Sequence, residues 1–191
     1  MKKVLVVAVI ALISFSANAQ FKLGFGVGYA NPLGDLSDGS SGGVSAYGEL
    51  GYGINESLDV SLLYQGDFLA SADNVVSTGG VEVTSSLSAV TVSSIMANGR
   101  YFFSTNKFKP YAGLGIGIAS VSGGDVDVDL GGLGNVNVDA GSTSNFAFRP
   151  SLGFKYGVFN ANVAYLSAGK IGDTSVADLS FNIGLLFTFG E

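Results

Sequence analysis

A two-residue alternation of large apolar residues with small or polar ones restricts the fold of this chain more than any other feature. In the stretch FKLGFGVGYA at 21–30, the odd positions hold Phe, Leu, Phe, Val and Tyr, and the even positions hold Lys, three Gly and Ala. Successive side chains of a β-strand point to opposite faces, so one face is aromatic and the other is small. The water-facing side of a soluble sheet would carry more Lys, Glu and Thr than this sequence offers. We therefore expect the apolar face to point outward and the glycine face to line a narrow interior.

Seven further segments repeat this alternation along the chain. The composition agrees with a strand-rich protein, because 29 Gly, 14 Phe and 8 Tyr occur among 191 residues, and aromatic residues favour strands while glycines mark turns and close approaches. The eight predicted strands lie at 21–30, 44–54, 58–65, 88–103, 112–118, 148–156, 159–165 and 179–189.

The connections between these strands alternate strictly between short and long. Short turns are predicted at 55–56, 104–109 and 157–158, and long connections at 31–43, 69–87, 121–144 and 167–177. This is the layout of outer membrane barrels, with short periplasmic turns and long outer loops. Closure is also required physically, since lipid cannot pair the backbone groups of an open sheet edge. The predicted fold is all-β: an eight-stranded antiparallel up-and-down transmembrane β-barrel.

The first 19 residues carry the pattern of a secretory signal peptide. Lys2 and Lys3 precede an apolar run at 4–15, and the sequence Ala17-Asn18-Ala19 supplies a small-x-small cleavage pattern. The run is too short to span a bilayer as a helix, which takes about 20 residues. We therefore predict a signal peptide at 1–19 and an outer membrane β-barrel domain at 20–191.

Several segments resemble a known family. FKLGFGVGYA, ANGRYFF, KPYAGLGIGIA, RPSLGFKYG and the end FNIGLLFTFGE are similar to segments of the small eight-stranded outer membrane β-barrels of the OmpA/OmpX/OmpW-like porin family. The resemblance covers the whole predicted barrel domain. It implies a place in the outer membrane of a Gram-negative cell, contact with membrane lipid and lipopolysaccharide, and passage through periplasmic chaperones and the barrel-assembly machinery. We expect a monomer.

Charged residues on the predicted inward faces form the candidate site. An arginine on the lipid face near mid-bilayer would cost about 2–4 kcal/mol, so these residues are expected to point into the lumen. Arg100, Glu49 and Asp59 fall on three successive strands and are expected to pair. The interior of an eight-stranded barrel is about filled by its own side chains, which favours a structural plug over an ion-selective filter. The predicted lumen ion-pair cluster consists of Lys22, Glu49, Asp59, Asp67, Arg100, Arg149 and Lys155.

The sequence predicts no catalytic residue, metal site or cofactor. It contains neither Cys nor His, so disulfides, thiolate ligands and histidine general bases are excluded. Its formal net charge of −6 would repel nucleic acid phosphates, and nucleic acid is not an expected partner.

The acidic stretch DVDVDLGGLGNVNVD at 125–139 resembles a calcium loop at first sight. Its three alternating aspartates would span roughly 13 Å on a strand, too far for all of them to reach one Ca²⁺ at about 2.4 Å. The stretch is mirror-related about its glycines, which predicts a hairpin continuing beyond the membrane. Its acidic residues would face water or be bridged loosely by divalent ions at the lipopolysaccharide surface.

Two positions do not fit a regular ladder. Pro150 cannot donate a backbone hydrogen bond, so a bulge is expected there. Val90 and Val92 are out of phase with Ile95 and the apolar residues after it. Either Ser93 and the next serine hold a bulge, or the valines lie above the membrane.

Two functions are consistent with this sequence. The first is a non-catalytic barrel with a plugged polar interior and long acidic extracellular loops, which has a structural or interaction role at the cell surface. The alternative, implied by the OmpW-like members of the resemblance, is a narrow porin-like channel for small solutes.

Overall fold

The computed structural model describes residues 20–190 apart from short gaps at 72–73, 79–80, 88–89, 123–125, 130–134, 139–141 and 172–173. The predicted signal peptide at 1–19 lies outside the described residues. Within the described part, no helix is both long and apolar enough to cross a membrane.

Eight long antiparallel strands form the body of the structure. They are β1 (Gln20–Leu33), β2 (Ser40–Asn55), β3 (Leu58–Ser71), β6 (Val90–Phe102), β7 (Phe108–Ser122), β10 (Ser142–Tyr156), β11 (Phe159–Ile171) and β12 (Thr174–Phe189). A single helical turn, α1 (Leu36–Gly39), and four short strands lie in the connections. These short strands are β4 (Asn74–Thr78), β5 (Val81–Leu87), β8 (Val126–Asp129) and β9 (Asn135–Val138).

The long strands close into a barrel. Their order around the wall is β1-β12-β11-β10-β7-β6-β3-β2, and β2 returns to β1. The closing pair β1–β12 runs from Phe21↔Phe189 to Leu33↔Ala177. The predicted all-β, eight-stranded antiparallel barrel is therefore confirmed.

The alternation read from the sequence decides which side chains face outward. On β3, Leu62 is 59% exposed while the adjacent Leu63 is only 3% exposed. The outward face is apolar all round the wall, and its aromatic residues meet across strands near the turns, as Phe21 and Phe189 do at 6.2 Å between ring centroids. Such an exposed apolar surface is far more extensive than a soluble protein normally carries.

The two ends of the barrel differ. At one end, β2–β3, β6–β7 and β10–β11 are joined by the turns at 56–57, 103–107 and 157–158; we call this the short-turn end. The opposite end, which carries the longer second and third connections, is the long-loop end. There Asp35 Oδ2 accepts a hydrogen bond from the Ser175 backbone N–H at 2.8 Å, which lowers the pKa of the Asp35 carboxyl and ties the first connection to β12.

The second and third long connections form a sheet of their own, in the order β4-β5-β8-β9. The hairpin predicted at 125–139 is present, with β8 and β9 paired from Val126↔Val138 to Asp129↔Asn135. Pairing of β5 with β8 joins the two connections. Nothing in the local sequence pattern predicted this contact, because it links segments about 40 residues apart.

Three sequence-based expectations need correction. The register between β10 and β7 runs through Pro150↔Leu114 without a shift, so the bulge expected at Pro150 is absent. The proline interrupts the ladder differently, because the pairing between β10 and β11 omits Arg149 and Pro150 without changing register. A register shift occurs instead on β11, between Ser167 and Lys170, where Gly169 adopts a φ of +68°.

Of the two explanations expected for the phase change on β6, the bulge at Ser93 is wrong, and the location of the valines above the membrane stays a prediction. Both ladders of β6 are continuous through Ser93, so there is no bulge, and Val90 and Val92 point inward and are buried. The fourth connection, predicted at 167–177, is mostly strand, since β11 ends at Ile171 and β12 begins at Thr174.

Candidate functional site in the barrel interior

The barrel interior is filled by side chains from strands on all sides. All seven sequence-predicted site residues lie on inward-facing positions of the strands, and six of them are buried, with Lys155 half-buried. They do not form a single cluster. The structure divides them between a lower cluster near the short-turn end, an upper cluster towards the long-loop end, and Lys155 at the short-turn mouth.

The lower cluster consists of Lys22, Glu49, Asp59 and Arg100. Arg100 Nη1 donates to Glu49 Oε1 at 2.7 Å, and Arg100 Nη2 lies 3.7 Å from Asp59 Oδ2. Lys22 Nζ forms a salt bridge with Asp59 Oδ1. Two cations thus face two carboxylates in a site where none of the four residues is more than 6% exposed.

Neutral donors complete the lower cluster. Ser61 Oγ donates to Glu49 Oε2 at 3.1 Å, and Asn98 Nδ2 donates to Ser61 Oγ at 3.3 Å. The Arg100 guanidinium also lies over the Tyr111 ring, 5.6 Å from its centroid. The two cations and two carboxylates are therefore matched in number and held from several strands, although Arg100 Nε, Arg100 Nη2 and Asp59 Oδ2 have no hydrogen-bond partner among the described residues.

A neutral layer of aromatic and amide groups lies above the lower cluster. Asn160 Nδ2 donates to Tyr47 Oη at 3.1 Å, and Tyr111 Oη donates to Asn160 Oδ1 at 3.0 Å. These bonds connect β2, β7 and β11 across the lumen. Tyr47, Tyr111 and Asn160 were not among the predicted site residues, although their inward phase on the strands is readable from the alternation.

The upper cluster is built around Gln65. Arg149 Nε donates to Gln65 Oε1 at 2.7 Å, and Gln65 Nε2 donates to Asp67 Oδ2 at 2.8 Å and to Ser180 Oγ at 3.4 Å. The amide therefore links the Arg149 and Asp67 charges, which form no direct salt bridge within the described residues.

Asp178 also belongs to the upper cluster and was missed by the sequence reasoning. It is fully buried, and neither of its carboxylate oxygens has a hydrogen-bond partner among the described residues. The inward position of Asp178 could have been predicted, because it shares its parity with the inward-facing Ser180 and Asn182 on β12. Asp178 was not assigned to a strand because the last strand was predicted to start at residue 179, whereas β12 begins at Thr174.

The long-loop end of the lumen is apolar, which differs from the polar interior expected from the sequence. Buried aliphatic side chains from seven strands and α1 pack together above the upper cluster. We call this layer the apolar cap; it comprises Ala30, Leu36, Leu69, Val90, Val92, Ala119, Ala147, Leu166, Ala168 and Val176.

One small cavity lies between two of these layers. The cavity between the lower cluster and the neutral layer has a volume of about 10 Å³ and is bordered by Glu49, Arg100, Arg149 and Asn160 among others. This is about the volume that one water molecule needs. Within the described residues, no group of three Asp or Glu side chains could hold a metal ion.

Solved structures of three bacterial proteins share this architecture. Neisserial surface protein A aligns with a TM-score of 0.59 at 21% identity, covering 91% of this chain and 98% of its own. The outer membrane protein OprG of Pseudomonas aeruginosa aligns with a TM-score of 0.55 at 12% identity, covering 91% and 97%. The chain has the fold of an outer membrane β-barrel.

Ail, the attachment invasion locus protein of Yersinia pestis, aligns with a TM-score of 0.51 at 14% identity, covering 89% of this chain and 99% of its own. No protein-family model and no curated protein sequence matches the chain. At these identities the likeness concerns the eight-stranded barrel itself and does not extend to the side chains that fill the lumen.

Proposed function

We propose that this protein is a non-catalytic integral outer membrane barrel whose lumen is closed to solutes and whose long-loop end acts at the cell surface. The membrane location is supported by the apolar outward face, where side chains such as Leu152 and Phe146 are 67% and 68% exposed. Removing this face from water into lipid is strongly favourable. The three similar structures support the same location.

Closure of the lumen is the part of the proposal that separates it from the channel alternative. The observation that carries it is the combination of an interior cavity of only about 10 Å³ with the apolar cap above it. An ion entering from the long-loop end would have to displace Leu69, Val92 and Leu166, which are all 1% exposed or less. Below them, it would have to break the Arg149–Gln65 and Arg100–Glu49 bonds.

The outward face and the long-loop end determine the partners that we propose. Membrane lipid would cover the outward face, and lipopolysaccharide would contact the long-loop end if the short turns face the periplasm, as in other barrels of this type. A monomer is supported by the closed ladder, because each of the eight strands pairs on both sides and leaves no edge for another copy. Delivery by periplasmic chaperones and the barrel-assembly machinery is part of this proposal.

Conductance of the refolded protein in planar bilayers tests the proposal. We expect no stable current steps from the unmodified protein, and none from Arg100→Ala, because the apolar cap remains in place when the lower cluster is broken. Stable single-channel steps from the unmodified protein would support the narrow channel instead. A large stable rise in Arg100→Ala alone would identify the lower cluster as a gate.

A further inference from the structure

A hollow at the short-turn end is lined by three lysines. It has a volume of about 400 Å³ and lies between the turns at 103–107 and 157–158. Lys107, Lys109 and Lys155 border it together with the polar side chains of Thr105, Asn106 and Thr188. No acidic residue is among those lining it.

The strand register forces two of these lysines together. Lys109 on β7 and Lys155 on β10 are direct cross-strand partners, and both lie on inward-facing positions. Like charges directly opposite each other on a sheet destabilise it. Unless an anion lies between them, the repulsion between Lys109 and Lys155 therefore lowers the stability of the barrel.

A fourth lysine, Lys22 on β1, lies close to the hollow through its pairing with Thr188 on β12. Lys155 Nζ donates to Thr188 Oγ1 at 2.9 Å, and Thr188 is the cross-strand partner of Lys22 on β1. The positive charge of Lys22 is matched by Asp59 in the lower cluster. No salt bridge within the described residues reaches Lys107, Lys109 or Lys155, so their charges are unmatched there.

The distribution of lysines over the molecule makes this arrangement unusual. Four of the five lysines in the described residues, at positions 22, 107, 109 and 155, lie at the short-turn end, and Lys170 alone lies at the other end. The whole chain is acidic, with 15 Asp and Glu against 9 Lys and Arg. The concentration of ammonium groups around one hollow is therefore local and opposes the net charge.

We propose that this hollow is a binding site for a phosphate-bearing anion. Three ammonium groups can surround the negative oxygens, while hydroxyl and amide groups of Thr188, Thr105 and Asn106 can donate further hydrogen bonds. Charge-assisted bonds of this kind are about twice as strong as neutral ones. The volume of about 400 Å³ accommodates a phosphate with a glycerol or sugar attached. Two sources share this chemistry: the headgroup of a phospholipid in the membrane leaflet at this end, and a soluble phosphorylated molecule.

The site is independent of whether the lumen conducts, so its test is separate from the conductance test. The refolded barrel is held in a phosphate-free, non-ionic detergent and titrated calorimetrically with inorganic phosphate, with glycerol 3-phosphate, and with micelles containing phosphatidylglycerol. We expect saturable binding of at least one of these. Saturable binding of the soluble anions alone assigns the site to a soluble ligand, and binding of phosphatidylglycerol alone assigns it to a lipid headgroup.

Variants locate the binding in the hollow. Lys109→Gln is expected to weaken binding by at least about tenfold, the size of a lost charge-assisted hydrogen bond. Lys170→Gln, which removes the same charge at the opposite end, is expected to change binding by less than about twofold, since an exposed distant charge is screened. If Lys109→Gln does not refold, Lys107→Gln in the exposed turn serves in its place.

A second measurement uses the repulsion between the two paired lysines. Without phosphate, Lys109→Gln should unfold at a higher denaturant concentration than the unmodified protein, because the Lys109–Lys155 repulsion is removed. With phosphate present, the order should reverse. The proposal is overturned if none of the three probes binds saturably, if chloride at equal ionic strength competes as well as phosphate, or if Lys170→Gln weakens binding as much as Lys109→Gln.

Discussion

Replacing Arg100 with methionine removes the cation that connects the two carboxylates of the lower cluster. Methionine preserves most of the apolar volume of the side chain, so the change acts mainly on charge. Glu49 loses its bond of 2.7 Å, and Asp59 keeps only Lys22 as a cationic partner. Because Glu49 is 4% exposed, its carboxylate would remain in the interior with only the neutral donor Ser61. Breaking a buried ion pair in this way costs about 3–5 kcal/mol.

A double variant shows whether the stability loss in Arg100→Met comes from the unpaired charge or from altered packing. In Arg100→Met with Glu49→Gln, the unpaired carboxylate is gone and Asp59 retains Lys22. We therefore expect the double variant to recover about half of the loss, so that the two single losses add to more than the double one. Lys170→Met is the matched control, because it removes a cation from the exposed part of β11, where the loss should stay within about 0.5 kcal/mol.

The assay is urea unfolding of the barrel refolded into phospholipid vesicles. The chain contains no Trp, so unfolding is followed by far-ultraviolet circular dichroism and by the electrophoretic mobility of unheated samples. A loss below about 1 kcal/mol in Arg100→Met, or strictly additive losses in the double variant, would refute the reasoning that the lower cluster is a charge-matched part of the filling.

Two further predictions concern other parts of the lumen. Asp178→Asn should raise the free energy of unfolding by about 1–3 kcal/mol, since it removes a buried carboxylate that has no hydrogen-bond partner among the described residues and is repelled by Asp67; unchanged or lower stability in urea would contradict this. Gly24→Val should destabilise the barrel by about 1–3 kcal/mol, because a Cβ there would lie 2.6 Å from Cγ of Glu49. Gly48→Val is its control, as a Cβ at Gly48 meets nothing within 4 Å, and equal losses in the two variants would contradict the view that crowding against Glu49 decides the effect.

The wall of the barrel was predictable from the sequence because it depends on a local pattern. Alternation along each strand fixes which side chains face outward, and the residues between strands fix where the chain turns. That reasoning assigned the inward phase of Arg100, Glu49 and Asp59 correctly, although these residues are up to 51 positions apart in the chain.

Strand lengths and contacts across the lumen were not predictable in the same way. The strands extend beyond the apolar alternation at the long-loop end, where side chains such as Val92 and Asp178 point inward instead of toward lipid. The choice of Gln65 as the partner of Arg149 depends on how far each strand is staggered against its neighbours. No single strand carries that information.

The filling of the lumen rests on an uneven distribution of side-chain volume around the wall. The inward glycines of β1 and β7 leave room for long side chains from neighbouring strands. A Cβ at Gly26 would lie 2.5 Å from the Tyr47 ring, and one at Gly115 would lie 3.1 Å from the sulfur of Met96. Glycine on one strand and a bulky residue on the next thus form a complementary pair, and both members are needed for a narrow barrel to be full.

The pairing of inward glycines with bulky side chains limits which substitutions could open a passage through the lumen. Shortening one charged residue in the lower cluster would leave the Tyr47–Asn160–Tyr111 layer and the apolar cap in place, so two further layers of side chains would still fill the lumen. A continuous passage would require simultaneous truncation in all of these layers. Because each layer is held by strands from several sides of the wall, such multiple truncation would lower stability before it produced a pore. Under the proposed function, the same packing that keeps the barrel folded would also keep it closed.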